Sequence, residues 1–266
     1  LYWVDIRNPM IHRLDPATGD RQRWRIQTEI GSIGFAGGKR MIAGTRMGFA
    51  FIDLESGDFQ ELEDPEGDGR MNAVRMNDGK VDRRGRFWCG SMEDPGYGEV
   101  ASLYRFDLDH TVHKMEGPVC ISNAICWSPD DTVMYFADSL KKTIWAYDFD
   151  IESGVIENRR DFLIIGDDEG VPDGATVDAE GFLWVAHMRG GKVCRYDPDG
   201  KREREIQFPV SLTSCPAFGG PDLSTLYVTT ASSRFEAADF EREPAAGSLF
   251  AVETDVKGLP EPVFGQ

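Results

Sequence analysis

The sequence predicts an all-β chain folded as a six-bladed β-propeller. Three observations predict it: one strand recurs six times, turn residues follow it at matched offsets, and helical periodicity is nearly absent. The recurring strand is centred on Tyr2, Met41, Phe87, Tyr135, Trp184 and Tyr227, at intervals of 39, 46, 48, 49 and 43 residues. Those intervals suit four-stranded blades. A second strand ending in an acidic residue follows each: Ile11 to Asp15, Phe51 to Asp53, Leu103 to Asp107, Ile144 to Asp148, Val193 to Asp197 and Leu249 to Glu253. The turns Asp15-Pro16-Ala17-Thr18-Gly19, Asp53-Leu54-Glu55-Ser56-Gly57 and Asp197-Pro198-Asp199-Gly200 combine an Asx side chain with a Gly able to take positive φ, which closes a hairpin at little cost.

A further strand-and-turn unit precedes most of these strands, as in Val81-Asp82-Arg83-Arg84-Gly85, Trp127-Ser128-Pro129-Asp130-Asp131 and Val177-Asp178-Ala179-Glu180-Gly181. Only the segment from Glu236 to Arg242 reads as a modest helix. A β-sandwich would share the Gly and Pro punctuation but not six registered copies. Two insertions, Glu93 to Glu99 and Ser232 to Pro244, are expected to shape a pocket mouth or decorate a rim. The opening Leu1-Tyr2-Trp3-Val4-Asp5 reads as the middle of a strand, with neither initiator Met nor signal peptide. Residues 1–266 are therefore expected to form a single propeller domain, N-terminally incomplete, with the first innermost strand missing.

Lys+Arg total 29 and Asp+Glu 46, a formal net charge of −17. A field of that sign repels phosphate backbones and anionic membranes, so nucleic-acid and membrane partners are not expected. No apolar run reaches the ~18 residues of a membrane span. The five cysteines (Cys89, Cys120, Cys126, Cys194, Cys215) are odd in number and lack C-x₂-C spacing; each lies in or beside an apolar stretch. Buried reduced thiols and a cytoplasmic location are the expectation.

Aligning the innermost strands on Phe35, Val81, Trp127, Val177 and Phe218 places Gly31, Asn77, Asn123, Asp173 and Ser214 four positions earlier. Equivalent positions of innermost strands surround one axis in a propeller. Asn77, Asn123 and Asp173 are thus expected to face each other, a hard-oxygen set suited to Ca²⁺, Mg²⁺ or Mn²⁺. The competing reading makes each a turn residue capping the backbone.

Several stretches carry a resemblance. They are Arg75-Met76-Asn77-Asp78-Gly79-Lys80-Val81-Asp82, Ile121-Ser122-Asn123, Tyr135-Phe136-Ala137-Asp138-Ser139, Val171-Pro172-Asp173-Gly174, Asp178-Ala179-Glu180-Gly181 and Phe218-Gly219-Gly220. On them the chain resembles the gluconolactonase, regucalcin and luciferin-regenerating-enzyme family, also called senescence marker proteins. The resemblance implies one divalent metal near the axis, Ca²⁺ first, with Zn²⁺, Mn²⁺, Mg²⁺ or Fe²⁺ as alternatives. Its ligands would be Asn123, Asp173 and a Glu expected upstream of Leu1. The resemblance further implies Arg75 and Asn77 as substrate contacts, with an acidic residue of the insertion, Glu93 or Glu99, as another. Family members commonly have Gly after the ligand Asn. Ala124 stands here; alanine needs a β-compatible backbone, so the correspondence requires negative φ at that residue.

The implied activity is opening of a sugar (aldono) lactone to the sugar acid, with Asp173 as metal ligand and general base, Arg75 on the ring or carbonyl oxygens, and Asn77 on a sugar hydroxyl. Hydrolysis of other esters or organophosphates, and a non-catalytic Ca²⁺-binding or protein-binding propeller, are the alternatives. No G-x-S-x-G elbow, P-loop or G-x-G-x-x-G after a strand is present. Oligomeric state leaves no trace in the sequence.

Overall fold

The computed structural model describes residues 1–67 and 73–266. Six antiparallel sheets follow one another along the chain. The first contains β1 (Tyr2–Asp5), β2 (Met10–Leu14) and β3 (Arg21–Arg25). The second contains β4 (Ile30–Phe35), β5 (Arg40–Thr45), β6 (Gly48–Asp53) and β7 (Phe59–Glu61). The third runs β8 (Val74–Val81), β9 (Phe87–Glu93), β10 (Ala101–Phe106), β11 (Val112–Val119), and the fourth β12 (Ser122–Trp127), β13 (Val133–Asp138), β14 (Thr143–Asp150), β15 (Val155–Ile164). The fifth contains β16 (Val171–Val177), β17 (Leu183–Met188), β18 (Lys192–Tyr196) and β19 (Arg202–Gln207). The sixth contains β20 (Thr213–Gly219), β21 (Thr225–Thr230) and β22 (Leu249–Glu253). Strands pair in sequence order within each sheet. All six aromatic or apolar centres predicted from the repeat lie on the expected strands: β1, β5, β9, β13, β17 and β21.

The turns follow their sequence chemistry. The Asp15 carboxylate accepts the Ala17 N–H at 3.0 Å, Asp53 accepts those of Glu55 and Ser56 at 2.8 and 3.0 Å, and Asp197 accepts those of Asp199 and Lys201 at 3.0 and 2.9 Å. Gly19, Gly57 and Gly200 close these hairpins with φ of 77°, 81° and 79°. The helix α1 (Ala237–Arg242) lies inside the second insertion, where the helical segment was predicted. The Glu236 N–H donates to Asp239 at 2.9 Å at its start.

The chain forms two compact units, one of Leu1–Ile125, Asp150–Ile156 and Glu261–Gln266, the other of Cys126–Phe149 and Glu157–Pro260. In the first, Ile42, Phe49, Met76, Phe87 and Phe106 pack between the second and third sheets, with Phe264 added from the chain's end. The rings of Phe49 and Phe106 stack at 5.0 Å. Each such fully buried ring contributes roughly 2–3 kcal/mol of transfer free energy. In the second, Trp184, Val193, Phe218, Leu226 and Val256 form the corresponding core.

One polar device appears in both units. Asp82 and Asp178 are almost fully buried, each just after a first strand. Asp82 accepts the backbone N–H groups of Arg84 and Arg86, the Arg86 guanidinium at 2.7 Å and the Trp88 indole at 2.8 Å. Asp178 accepts the N–H groups of Glu180 and Phe182, the Trp184 indole at 2.8 Å and Arg195 Nε at 2.8 Å. One carboxylate thereby closes a turn and anchors the indole of the next strand. Such a pair is weak evidence of net stabilisation, but removing one partner strands the other charge. Asp178→Ala is expected to lower unfolding free energy by about 3 kcal/mol, read from urea denaturation. A loss below about 1 kcal/mol would show that Arg195 is adequately held by its other carboxylates.

Candidate functional site

The first strands of four sheets each carry one extra residue relative to their neighbour. The register shifts between Ile30 and Ser32 on β4, Met76 and Gly79 on β8, Pro172 and Ala175 on β16, and Thr213 and Cys215 on β20. Inside these steps lie Gly31, Asn77 with Asp78, Asp173 with Gly174, and Ser214. These are the positions the repeat register aligned. A β-bulge re-aims a side chain out of the regular alternation, which is why bulges favour functional sites. Asn123 occupies the second position of β12.

In the first unit, Arg75, Asn77 and Asn123 come together as a hydrogen-bonded series, all three buried. Arg75 Nη1 donates to Asn77 Oδ1 at 2.8 Å and to the Met76 carbonyl at 3.0 Å. Asn77 Nδ2 donates to the Ser122 carbonyl at 2.9 Å and to Asn123 Oδ1 at 3.3 Å. Both amide protons of Asn77 are therefore committed to protein, and its remaining capacity is the second lone pair of Oδ1. Arg75 Nη2 has no hydrogen-bond partner among the described residues. Gly31 makes the arrangement possible, because a Cβ there would stand 2.4 Å from the carbonyl oxygens of Met76 and Asn77.

Asp94, at the start of the first insertion, holds Arg75 in place. Its carboxylate accepts Arg75 Nε at 2.7 Å and Arg7 Nη2 at 2.9 Å, while Arg46 Nη1 donates to its carbonyl at 3.1 Å. Glu29 pairs with Arg7 at 3.1 Å and also with Arg46. Burial pulls the Arg75 guanidinium below its ordinary value, against the opposing pull of Asp94. Burial alone would raise the Asp94 carboxyl, but the hydrogen bonds from Arg7 and Arg75 outweigh it and hold the group below the usual carboxylate range. Sequence reasoning singled out Glu93 and Glu99 in this insertion and missed Asp94, one residue along. Glu93 instead turns into the insertion, accepting the Gly98 N–H at 2.7 Å, and Glu99 is exposed.

The expectation of negative φ at Ala124 is overturned: its φ is 57°, in the left-handed region. The cause is Asp78. Its Oδ2 accepts the Ile125 N–H at 3.0 Å, its Oδ1 accepts the Gly79 N–H at 2.9 Å, and the Ala124 N–H also donates to this carboxylate. Ala124 thus stands in the conformation that glycine takes most readily.

In the second unit, Asp173 is half-buried on the bulge of β16. The preceding carbonyl, of Pro172, accepts the Ser139 hydroxyl at 2.7 Å. Gly174 lies so close to Cys215 that a Cβ would meet its Sγ at 2.6 Å. His187 is buried and structural, with Nδ1 at 2.9 Å from the Glu169 carbonyl and Nε2 at 3.0 Å from the Tyr196 hydroxyl. Burial lowers its pKa. Asp138 is fully buried and accepts the Leu140 N–H at 3.2 Å, a bracing contact. No disulfide joins any of the five cysteines; Cys89, Cys126 and Cys194 are buried and Cys120 is half-buried, whereas Cys215 is exposed, contrary to expectation. Burial pushes the Cys89 thiol up to about 12. A surface depression lined by Gly190, Phe208, Ser211 and Glu243 shares no residue with the candidate set.

Taken separately, Asn123 in the first unit carries a carboxamide oxygen and Asp173 in the second a carboxylate, each a donor type that suits a hard cation. Among the described residues, no three His, Cys, Asp or Glu side chains gather as a metal centre. No helix among them is long and apolar enough to cross a membrane.

Six successive antiparallel meanders, with polar residues on bulged first strands, define a six-bladed β-propeller. Residues 1–232 match the SMP-30/Gluconolactonase/LRE-like region, and the chain belongs to that family. It is similar to a regucalcin of Oryctolagus cuniculus, 37% identical over 269 residues that cover 98% of this chain and 89% of the relative. It is 35% identical over 267 residues to a 6-deoxy-6-sulfogluconolactonase of Pseudomonas putida, covering 99% of this chain and 90% of that one. A solved calcium-binding regucalcin from Agrobacterium tumefaciens superposes with a TM-score of 0.94 at 28% identity, over 100% of this chain and 89% of that chain.

The depressed pKa of Asp94 gives a testable pH dependence. A group held below its unfolded value contributes stability that is present above that unfolded value, near 4, and lost as pH falls through the folded one. Asp94→Asn is therefore expected to destabilise the protein by roughly 2–4 kcal/mol at pH 7. The difference from the parent should shrink below about pH 4, as read from thermal unfolding across pH; a pH-independent gap would contradict the assignment.

Proposed function

We propose that the chain is a divalent-metal-dependent hydrolase that opens a sugar (aldono) lactone to its acid. The observation that carries this reading is the Arg75–Asn77–Asn123 series, anchored by Asp94. It stands in a family whose relatives include a protein named for 6-deoxy-6-sulfogluconolactone hydrolysis. In this reading Asn123 and Asp173 are ligands of the cation, Ca²⁺ first among the candidates. A divalent ion would supply positive charge where the ester carbonyl oxygen becomes negative.

In this reading the Asp173 carboxylate takes a proton from the attacking water. The water oxygen bonds to the acyl carbon, the bond from that carbon to the ring oxygen breaks, and the proton passes to the ring oxygen, leaving a hydroxy acid. Arg75 Nη2 donates to an oxygen of the lactone. Its guanidinium is already held at Nε and Nη1, so little reorganisation is required. Asn77 chiefly keeps Arg75 and Asn123 in register, with one lone pair of Oδ1 left for a substrate hydroxyl. The odd number of cysteines and the lack of C-x₂-C spacing support a reducing, cytoplasmic setting.

A pH-indicator assay on a panel of five- and six-membered sugar lactones tests the reading. Acid release should vanish with chelator, return on adding Ca²⁺ or Mn²⁺, and fall at least ~100-fold in Asp173→Ala of the full chain, consistent with loss of a general base. Undiminished hydrolysis in Asp173→Ala would sink the mechanism. Metal binding without turnover of any lactone would favour the non-catalytic alternative. Arg75→Lys should keep the charge yet lose the two-sided anchoring, lowering kcat/KM by about tenfold or more.

A further inference from the structure

Two residues of the Arg75-to-Asp78 stretch serve the series described above, yet the most unusual backbone nearby involves a third. Ala124, next to Asn123, is fully buried with φ of 57°. A non-glycine residue in this region costs on the order of 1 kcal/mol and persists only where its surroundings enforce it. The enforcing group is the Asp78 carboxylate, which crosses from β8 to β12. It accepts the N–H of Ile125 at 3.0 Å and that of Ala124, while its other oxygen is held by the Gly79 N–H at 2.9 Å. Two successive N–H groups turned toward one carboxylate fix the peptide planes on both sides of Ala124. The direction of the Asn123 side chain follows from those planes.

We propose that Asp78 is the positioning residue for Asn123: its carboxylate holds Ala124 in the left-handed conformation and so aims the Asn123 carboxamide for cation binding. This rests on the reading that Asn123 is a metal ligand. Asp78 itself need touch neither cation nor substrate. Its part is to remove, before binding, the conformational freedom that would otherwise be lost on binding.

The test uses Mn²⁺ as probe, with free ion counted by its EPR signal, on the full chain and on Asp78→Asn, Asp78→Asn with Ala124→Gly, Ala124→Gly alone, and Asn123→Ala. Thermal unfolding in excess chelator reports folding independently. Asp78→Asn replaces one carboxylate oxygen with an NH₂ that cannot accept. It is expected to unfold cooperatively in chelator while binding Mn²⁺ about tenfold more weakly, roughly 1.4 kcal/mol. Adding Ala124→Gly, which removes the left-handed penalty, should recover at least about twofold of that loss. Binding by Asp78→Asn within about threefold of the parent, or a loss that glycine does not relieve, overturns the proposal. Should Asp78→Asn fail to fold, the double variant is compared with Ala124→Gly. A weakening of about threefold or more then supports the proposal, and a smaller one overturns it. If Asn123→Ala binds like the parent, the ligand assignment itself has failed; if Asn123→Ala is weakened and Asp78→Asn is not, only the positioning role falls.

Discussion

A guanidinium with almost no solvent contact must be neutralised where it stands, and the candidate site is organised around that requirement. Arg75 is buried, and Asp94 supplies the charge it needs at 2.7 Å. Asp94 is in turn shared with Arg7 and Arg46, which are shared with Glu29. Three arginines and two carboxylates from five separate segments are thus tied into one network. The cost of desolvating any one of them is offset only while the others remain in place. Arg75 is therefore held with two of its nitrogens fixed, and its third makes no hydrogen bond among the described residues. This local excess of positive charge stands out in a chain whose formal net charge is −17.

The fold was legible because its rules are local. Six aromatic or apolar strand centres, Asx turns at Asp15, Asp53 and Asp197, and the short helix before Arg242 follow from propensity and turn chemistry, which act over a few residues. The equivalence of Gly31, Asn77, Asp173 and Ser214 was likewise readable from repeat register, although register alone could not show that each sits in a bulge. Alternation has period two, and one inserted residue leaves no mark in a single sequence.

What escaped sequence reasoning was decided by tertiary geometry. Glu93, Asp94 and Glu99 are chemically alike within one insertion; only the path of the loop selects Asp94 to meet Arg75. Ala124 was expected to be extended because alanine carries a Cβ. The carboxylate of Asp78, distant in sequence, reverses that preference by taking the N–H groups on either side. Cys215 lies beside apolar residues in the chain and is nonetheless exposed; it directly follows the register step at Ser214, where the regular in-and-out alternation of β20 is broken.

The shared bulge on β4, β8, β16 and β20 has a consequence for how such a protein can change. At β8, β16 and β20 the bulge carries asparagine, aspartate or serine, whereas at β4 it admits only glycine, since a Cβ on Gly31 would press on the carbonyl oxygens of Met76 and Asn77 at 2.4 Å. Charge and donor type at three of the four bulges are thus set by the side chain alone, while the fourth is fixed by the backbone of the neighbouring strand.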